Sequence, residues 1–151
     1  MIRKDLEIFD VLRNHYYCGI DVETSLDKGE MRLRFLQLYP FNPKHPEVKN
    51  EDVWIFDLQE IDPEDLELLK DCLFDSGVNL GVVWVGHNLK FDFKILRDAG
   101  FNLDVRHVVD IYIAHKVLTA GSSSFYQASL KECAEHYLGE NLDKTLQRAD
   151  W

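Results

Sequence analysis

Leu6, Phe9 and Leu12 recur every three residues, which predicts a short amphipathic helix over residues 3–13. The period then shortens. Residues 16–23 form a first predicted strand. After a turn-rich connection at 24–30, Leu33, Phe35, Gln37 and Tyr39 alternate with Arg32, Arg34, Leu36 and Leu38, predicting a second strand paired with the first as a hairpin. Pro40, Pro43 and Pro46 break the chain before a third strand, Val53-Trp54-Ile55-Phe56-Asp57-Leu58. Asp62 as N-cap, Pro63 at the first helical position, Leu66, Leu69 and Leu73 on one face and Gly77 at the end delimit a complete helix. Val82-Val83-Trp84-Val85 has the unbroken apolar character of a buried strand, and Gly86-His87-Asn88 leads into a helix carrying Phe91, Ile95, Leu96 and Ala99, closed by Gly100. A short strand near 107–109, a helix over 110–119, a loop at Gly121-Ser122-Ser123-Ser124 and a capping box, Ser129-Leu130-Lys131-Glu132, opening a helix that Gly139 ends complete the pattern. Hairpin-linked strands followed by alternating strand and helix predict an α/β fold, a mixed sheet flanked by helices in one domain.

Composition narrows what such a domain can do. A chain of 151 residues, 46% hydrophobic and 12% aromatic, has room for one real core. Its formal net charge of -10 argues against a broad basic surface for nucleic acid, because that affinity comes from many Lys and Arg contacts to phosphate. A polyanion would have to be met locally, through metal ions. Cys18, Cys72 and Cys133 are odd in number, widely spaced and set in apolar patterns, so neither a disulfide framework nor a zinc site is expected. A reducing, cytoplasmic setting follows. The most apolar window, residues 78–86, falls far short of the roughly 18 residues a membrane span needs, and no signal-like apolar segment follows the charged N-terminus.

One stretch breaks the structural pattern. In Tyr17-Cys18-Gly19-Ile20-Asp21-Val22-Glu23-Thr24 an apolar strand ends in two carboxylates two positions apart, which on a strand share a face. At about 4 Å their repulsion is worth roughly 4 kcal/mol at an effective dielectric of about 20. A hard divalent cation such as Mg2+ or Mn2+ would relieve it. The same Asp-x-Glu spacing occurs at Asp5/Glu7, Asp62/Glu64 and Asp65/Glu67, but in polar, helix-like contexts; only Asp21/Glu23 follows a buried strand. Asp92, at the start of the helix after the next buried strand, can join them if the sheet sets the two strands side by side, since ligand sites form at strand carboxyl ends. Its bland alternative is to complement the helix dipole.

Ile20-Asp21-Val22-Glu23-Thr24, Val85-Gly86-His87-Asn88-Leu89-Lys90-Phe91-Asp92, Val109-Asp110-Ile111, and the stretch from Leu138-Gly139-Glu140-Asn141-Leu142-Asp143-Lys144 to Asp150-Trp151, in that order, resemble the DEDD 3′-5′ exonucleases, above all the ribonuclease D branch and the proofreading domain of bacterial DNA polymerase I. The resemblance implies a ribonuclease H-like fold over the whole chain and hydrolysis of nucleotides from a DNA or RNA 3′ end. It implies two divalent cations, Mg2+ or Mn2+. Asp21 would bridge them, Glu23 would bind the first and Asp92 the second. Thr24, Leu26, Asn88 and Phe91 match positions that contact the terminal nucleotide, although Leu26 falls one residue closer to the glutamate than in the polymerase branch. The other three have plainer alternatives: a strand-end hydroxyl for Thr24, a helix N-cap for Asn88, a core side chain for Phe91. His87, Asp110, Lys144 and Gln147 match recurrent family positions that are read as structural.

The family's final motif, Tyr-x-x-x-Asp or a histidine-led equivalent, has no match. Tyr137 is followed four residues on by Asn141, and Asp143 and Asp150 match other elements. The chain is therefore expected to lack the last helix, its fourth carboxylate and the tyrosine that orients water. Weak activity is expected, together with exposed apolar surface that invites a dimer or a completing partner chain. Two alternatives stand beside the nuclease: a degenerate exonuclease fold that binds nucleic acid or protein without cutting, and a metal-stabilised structural domain.

Overall fold

The computed structural model describes residues 7–27, 29–44, 53–75, 77–78, 81–120 and 129–142. In chain order these form α1 (Ile8–Arg13), β1 (Tyr17–Asp27), β2 (Glu30–Phe41), β3 (Trp54–Asp57), α2 (Pro63–Cys72), β4 (Val83–Gly86), α3 (Leu89–Asp98), β5 (Val108–Asp110), α4 (Ile111–Leu118) and α5 (Leu130–Leu138). Five strands make one mixed sheet in the order β3-β2-β1-β4-β5. The first three are antiparallel neighbours, and β4 and β5 add in parallel on the other side of β1. The α/β expectation holds, and β4 does lie beside β1.

Alternation along β1 sorts the two sheet faces. Cys18, Ile20 and Val22 point into a core with Leu36 and Leu38 of β2, Trp54 and Phe56 of β3, and Trp84 of β4. Phe9 and Leu12 of α1, Leu69 of α2, and Ile95 and Leu96 of α3 belong to the same buried cluster. Gly19, Asp21 and Glu23 occupy the opposite face.

Three boundaries differ from expectation. The hairpin is longer: Thr24, Ser25 and Leu26 pair with Leu33, Arg32 and Met31, past a register shift between Glu23 and Thr24. Main-chain pairing needs no apolar side chain, so a polar, turn-rich composition concealed it; Gly29, at φ 85, lies at the tip. The second helix stops at Cys72 rather than near Gly77, because Asp75 Oδ1 accepts from Gly77 N at 2.6 Å and Val78 N at 3.2 Å and turns the chain. β2 does not break at Pro40 but runs to Phe41, with Pro40 paired to Cys18; Leu6, the 121–124 loop, Lys144 and Gln147 lie outside the described residues.

The caps of α2 and α5 are local, as read. Asp62 Oδ1 accepts from Glu64 N at 2.9 Å, and Ser129 and Glu132 form a reciprocal capping box. All three cysteines are free thiols. No helix among the described residues is long and apolar enough to cross a membrane.

Candidate active site

Strand β1 delivers two carboxylates to its open face. Asp21 is exposed and Glu23 half-buried, with Val22 between them in the core. The parallel register with β4 ends at the Gly19–Val85 pair, so main-chain donors farther along that side of β1 need another acceptor. Asp92 meets one: its Oδ1 accepts from Val22 N at 3.2 Å. Asp92 rises from the first turn of α3 and is 5% exposed.

Gly86 makes this approach possible. A Cβ there would stand 2.9 Å from the Ile20 carbonyl oxygen and collide with the Leu89 side chain. Only glycine lets the end of β4, with α3 behind it, close against β1 beside Asp21.

The electrostatics tie the three carboxylates to one another. Burial pushes Asp92 up to about 6, helped by the negative charges of Asp21 and, less, Asp110, and opposed by the N–H groups of Asp92 and Val22. Burial likewise raises Glu23, with the Asp21 charge adding to it. Asp21 is itself raised by the protein packed around it, against a hydrogen bond from Val22. Asp21 is thus the common neighbour. The three do not close into a ready-made ligand cage: among the described residues, no three His, Cys, Asp or Glu side chains are placed to hold an ion together. Asp92 instead takes the Val22 amide. Their chemistry nonetheless fits a divalent metal, since all are hard oxygen donors whose repulsion a cation would relieve.

Around this core sit the four residues matched to substrate. Thr24 is half-buried just past the register shift, a kind of irregularity that re-aims strand side chains. Leu26 is 78% exposed and Phe91 41% exposed, so Phe91 is not the core side chain of its plainer alternative. Asn88 holds the N-cap position of α3 but in the left-handed region, at φ 62, and its side chain makes no capping hydrogen bond. A cavity of about 370 Å³ opens beside Asp21, lined also by Gly19, Gln37, Tyr39, Val85, His87 and their neighbours.

Asp110 and His87, matched to recurrent family positions, both make contacts that hold the fold. Asp110 accepts from Asn88 N at 3.0 Å, Leu89 N at 2.9 Å and Tyr112 N at 2.9 Å, so one carboxylate serves the starts of both α3 and α4. Its place before an apolar helix was a visible N-cap signal; its reach to α3 was not. The His87 ring meets Tyr112 edge-on at 5.8 Å. Tyr137 has its hydroxyl 3.0 Å from Nδ1 of buried His115.

A sequence profile of the 3′-5′ exonuclease family matches residues 4–151. DNA polymerase I of Aquifex aeolicus (strain VF5) is 31% identical over 140 residues, which take in 93% of this chain but only 20% of that protein. Among solved structures, Escherichia coli RNase D, an exoribonuclease involved in structured RNA processing, superimposes on 96% of this chain and 34% of its own with a TM-score of 0.68 at 18% identity. Brucella melitensis NrnC with bound Mg2+ does so over 92% of this chain and 61% of its own, with a TM-score of 0.57 at 21% identity. At such identities the structural likeness is one of fold, and it bears out the ribonuclease H-like expectation.

Proposed function

The chain belongs to the 3′-5′ exonuclease family, and on that premise we propose that it removes nucleotides from the 3′ end of single-stranded DNA or RNA, with Asp21, Glu23 and Asp92 holding two divalent cations. The observation that carries this reading is the hydrogen bond from Val22 N, between Asp21 and Glu23, to Asp92 Oδ1, 70 residues away in sequence; the Asp21 charge also raises both Glu23 and Asp92. NrnC, of the same fold, holds Mg2+. Bound here, Mg2+ or Mn2+ would neutralise charge on the scissile phosphate and make water more acidic.

The chain's own side chains supply the rest. Glu23 and Asp92, both raised by burial and by the charge of Asp21, would be favoured in their charged forms by a cation that offset Asp21. The exposed rings and chains of Phe91 and Leu26 offer apolar surface to a terminal base, and the Asn88 carboxamide and Thr24 hydroxyl offer hydrogen bonds to its sugar. Free cysteines suit a cytoplasmic setting. Val109, Val117 and Leu118, at 42, 69 and 74% exposure, give apolar surface on β5 and α4 for a second copy or another protein chain.

The test is cleavage of 5′-labelled single-stranded DNA and RNA in Mn2+, beside Asp21→Ala. Equal rates for the two proteins would exclude catalysis at this site. The lack of a closed three-carboxylate group among the described residues favours a second reading, an exonuclease fold that binds strand ends without cutting them. That reading requires binding to survive both Asp21→Ala and chelation.

A further inference from the structure

An N-cap residue ordinarily sits in the extended region and turns its own side-chain oxygen onto the free N–H groups of the first helical turn. Asp62, Asp110 and Ser129 do this for α2, α4 and α5. Asn88, a residue type well suited to the task, does not: at φ 62 and ψ 44 it is the one non-glycine residue with positive φ among those described. Asn enters the left-handed region more readily than most residues with a Cβ, but here that conformation forfeits the cap, so its surroundings must favour it. What imposes it comes from another strand.

The parallel register sets Gly86 opposite Asp110, which brings the Asp110 carboxylate under the turn that follows β4. One oxygen, Oδ1, accepts from Asn88 N at 3.0 Å, Tyr112 N at 2.9 Å and Ile113 N at 3.4 Å; the other, Oδ2, accepts from Leu89 N at 2.9 Å. The start of α3 is therefore capped from outside. Its own cap residue keeps an exposed side chain, four positions before Asp92 and next to His87, which lines the cavity beside Asp21.

We propose that Asp110 is a positioning residue of the exonuclease site: it holds the left-handed Asn88 turn by its main-chain N–H groups and so keeps the Asn88 carboxamide available to a nucleic-acid strand end. The proposal rests on the nuclease reading for its ligand but not for its geometry. A cap that served stability alone would need no left-handed residue, because Asn88 in extended backbone could cap α3 by itself.

The experiment pairs two variants that separate backbone from side chain. Asn88→Gly keeps the left-handed turn, which glycine adopts without strain, and removes the carboxamide. Asp110→Asn keeps the size of residue 110 and removes its charge. Melting temperature establishes that each is folded, amide hydrogen exchange reads the turn, and fluorescence anisotropy reads affinity for a labelled single-stranded oligonucleotide in Mg2+. In Asp110→Asn the Asn88 and Leu89 amides should exchange about 10-fold faster, as a weakened charge-assisted bond implies. Each single variant should bind the oligonucleotide about 10-fold more weakly, and the double variant no more weakly than either, the non-additivity of residues acting through one another. Additive losses, or faster exchange with affinity intact, would reduce Asp110 to a helix cap and overturn the proposal. Normal binding by the wild type with unchanged exchange in Asp110→Asn overturns the proposal alone. Failure of the wild type to bind the oligonucleotide overturns the nuclease reading along with it.

Discussion

Neighbouring residues of the two central strands face opposite demands. On one side of the sheet Val22 and Leu36 are 5 and 0% exposed and packed among the helices. On the other, Asp21 and Gln37 form a cross-strand pair at the wall of an open cavity. The first face is made of side chains that gain by leaving water. The second gathers carboxylates with raised pKa values, Glu23 and Asp92 by burial and by the charge of Asp21. The difference teaches that the core face holds the second face in a state it would not adopt unaided, since stored repulsion survives only on a scaffold stabilised elsewhere.

The largest effect should come from weakening that scaffold. Leu36→Ala, at a fully buried position, is expected to cost about 2–5 kcal/mol in urea unfolding. Asp21→Ala should do the reverse: cleavage in Mn2+ falls about 100-fold, or about 2.7 kcal/mol in the barrier, while the melting temperature holds or rises as repulsion is relieved. A loss of stability in Asp21→Ala would erase the distinction between the faces.

Next comes pH. The folded-state pKa of Asp92 is raised from 3.8 to about 6, so between those values the native state binds more protons than the unfolded chain. Stability is then fullest below about pH 4 as far as Asp92 is concerned, and is lost as pH rises through about 6. Asp92→Asn keeps an oxygen for the Val22 amide and removes the charge. It should be more stable than wild type by on the order of 2 kcal/mol at pH 7 and equal to it at pH 4, by urea unfolding at each pH. Added Mg2+ should raise the wild-type melting temperature at pH 7 and leave Asp92→Asn less affected. Smallest of all, Gln37→Ala should change stability by no more than about 0.5 kcal/mol, against the large loss from Leu36 beside it.

Much of this was legible beforehand because the rules involved are short-range. Alternation over 16–23 set Asp21 and Glu23 on one face, and the Ser129/Glu132 box and the Asp62-Pro63 start were read correctly. Where reading failed, the cause lay outside the window. The arm of the hairpin past Glu23 is held by main-chain pairing with 31–33, to which side-chain composition is nearly blind. For Phe91 the sequence left core and substrate contact both open, and its exposure was settled by packing, which chooses the part of α3 that faces the sheet.

The amino-acid order alone determined where helices and strands form, which carboxylates share a strand face and which family the motifs resemble, because each depends on residues within about four positions of one another. Only the tertiary structure decided that β4 lies against β1 at Gly86, that Asp92 takes the Val22 amide and that Asp110 caps a helix begun 21 residues earlier. Those contacts depend on strand order and register, and a hydrogen bond spanning 70 residues leaves no periodic trace in the chain between its ends.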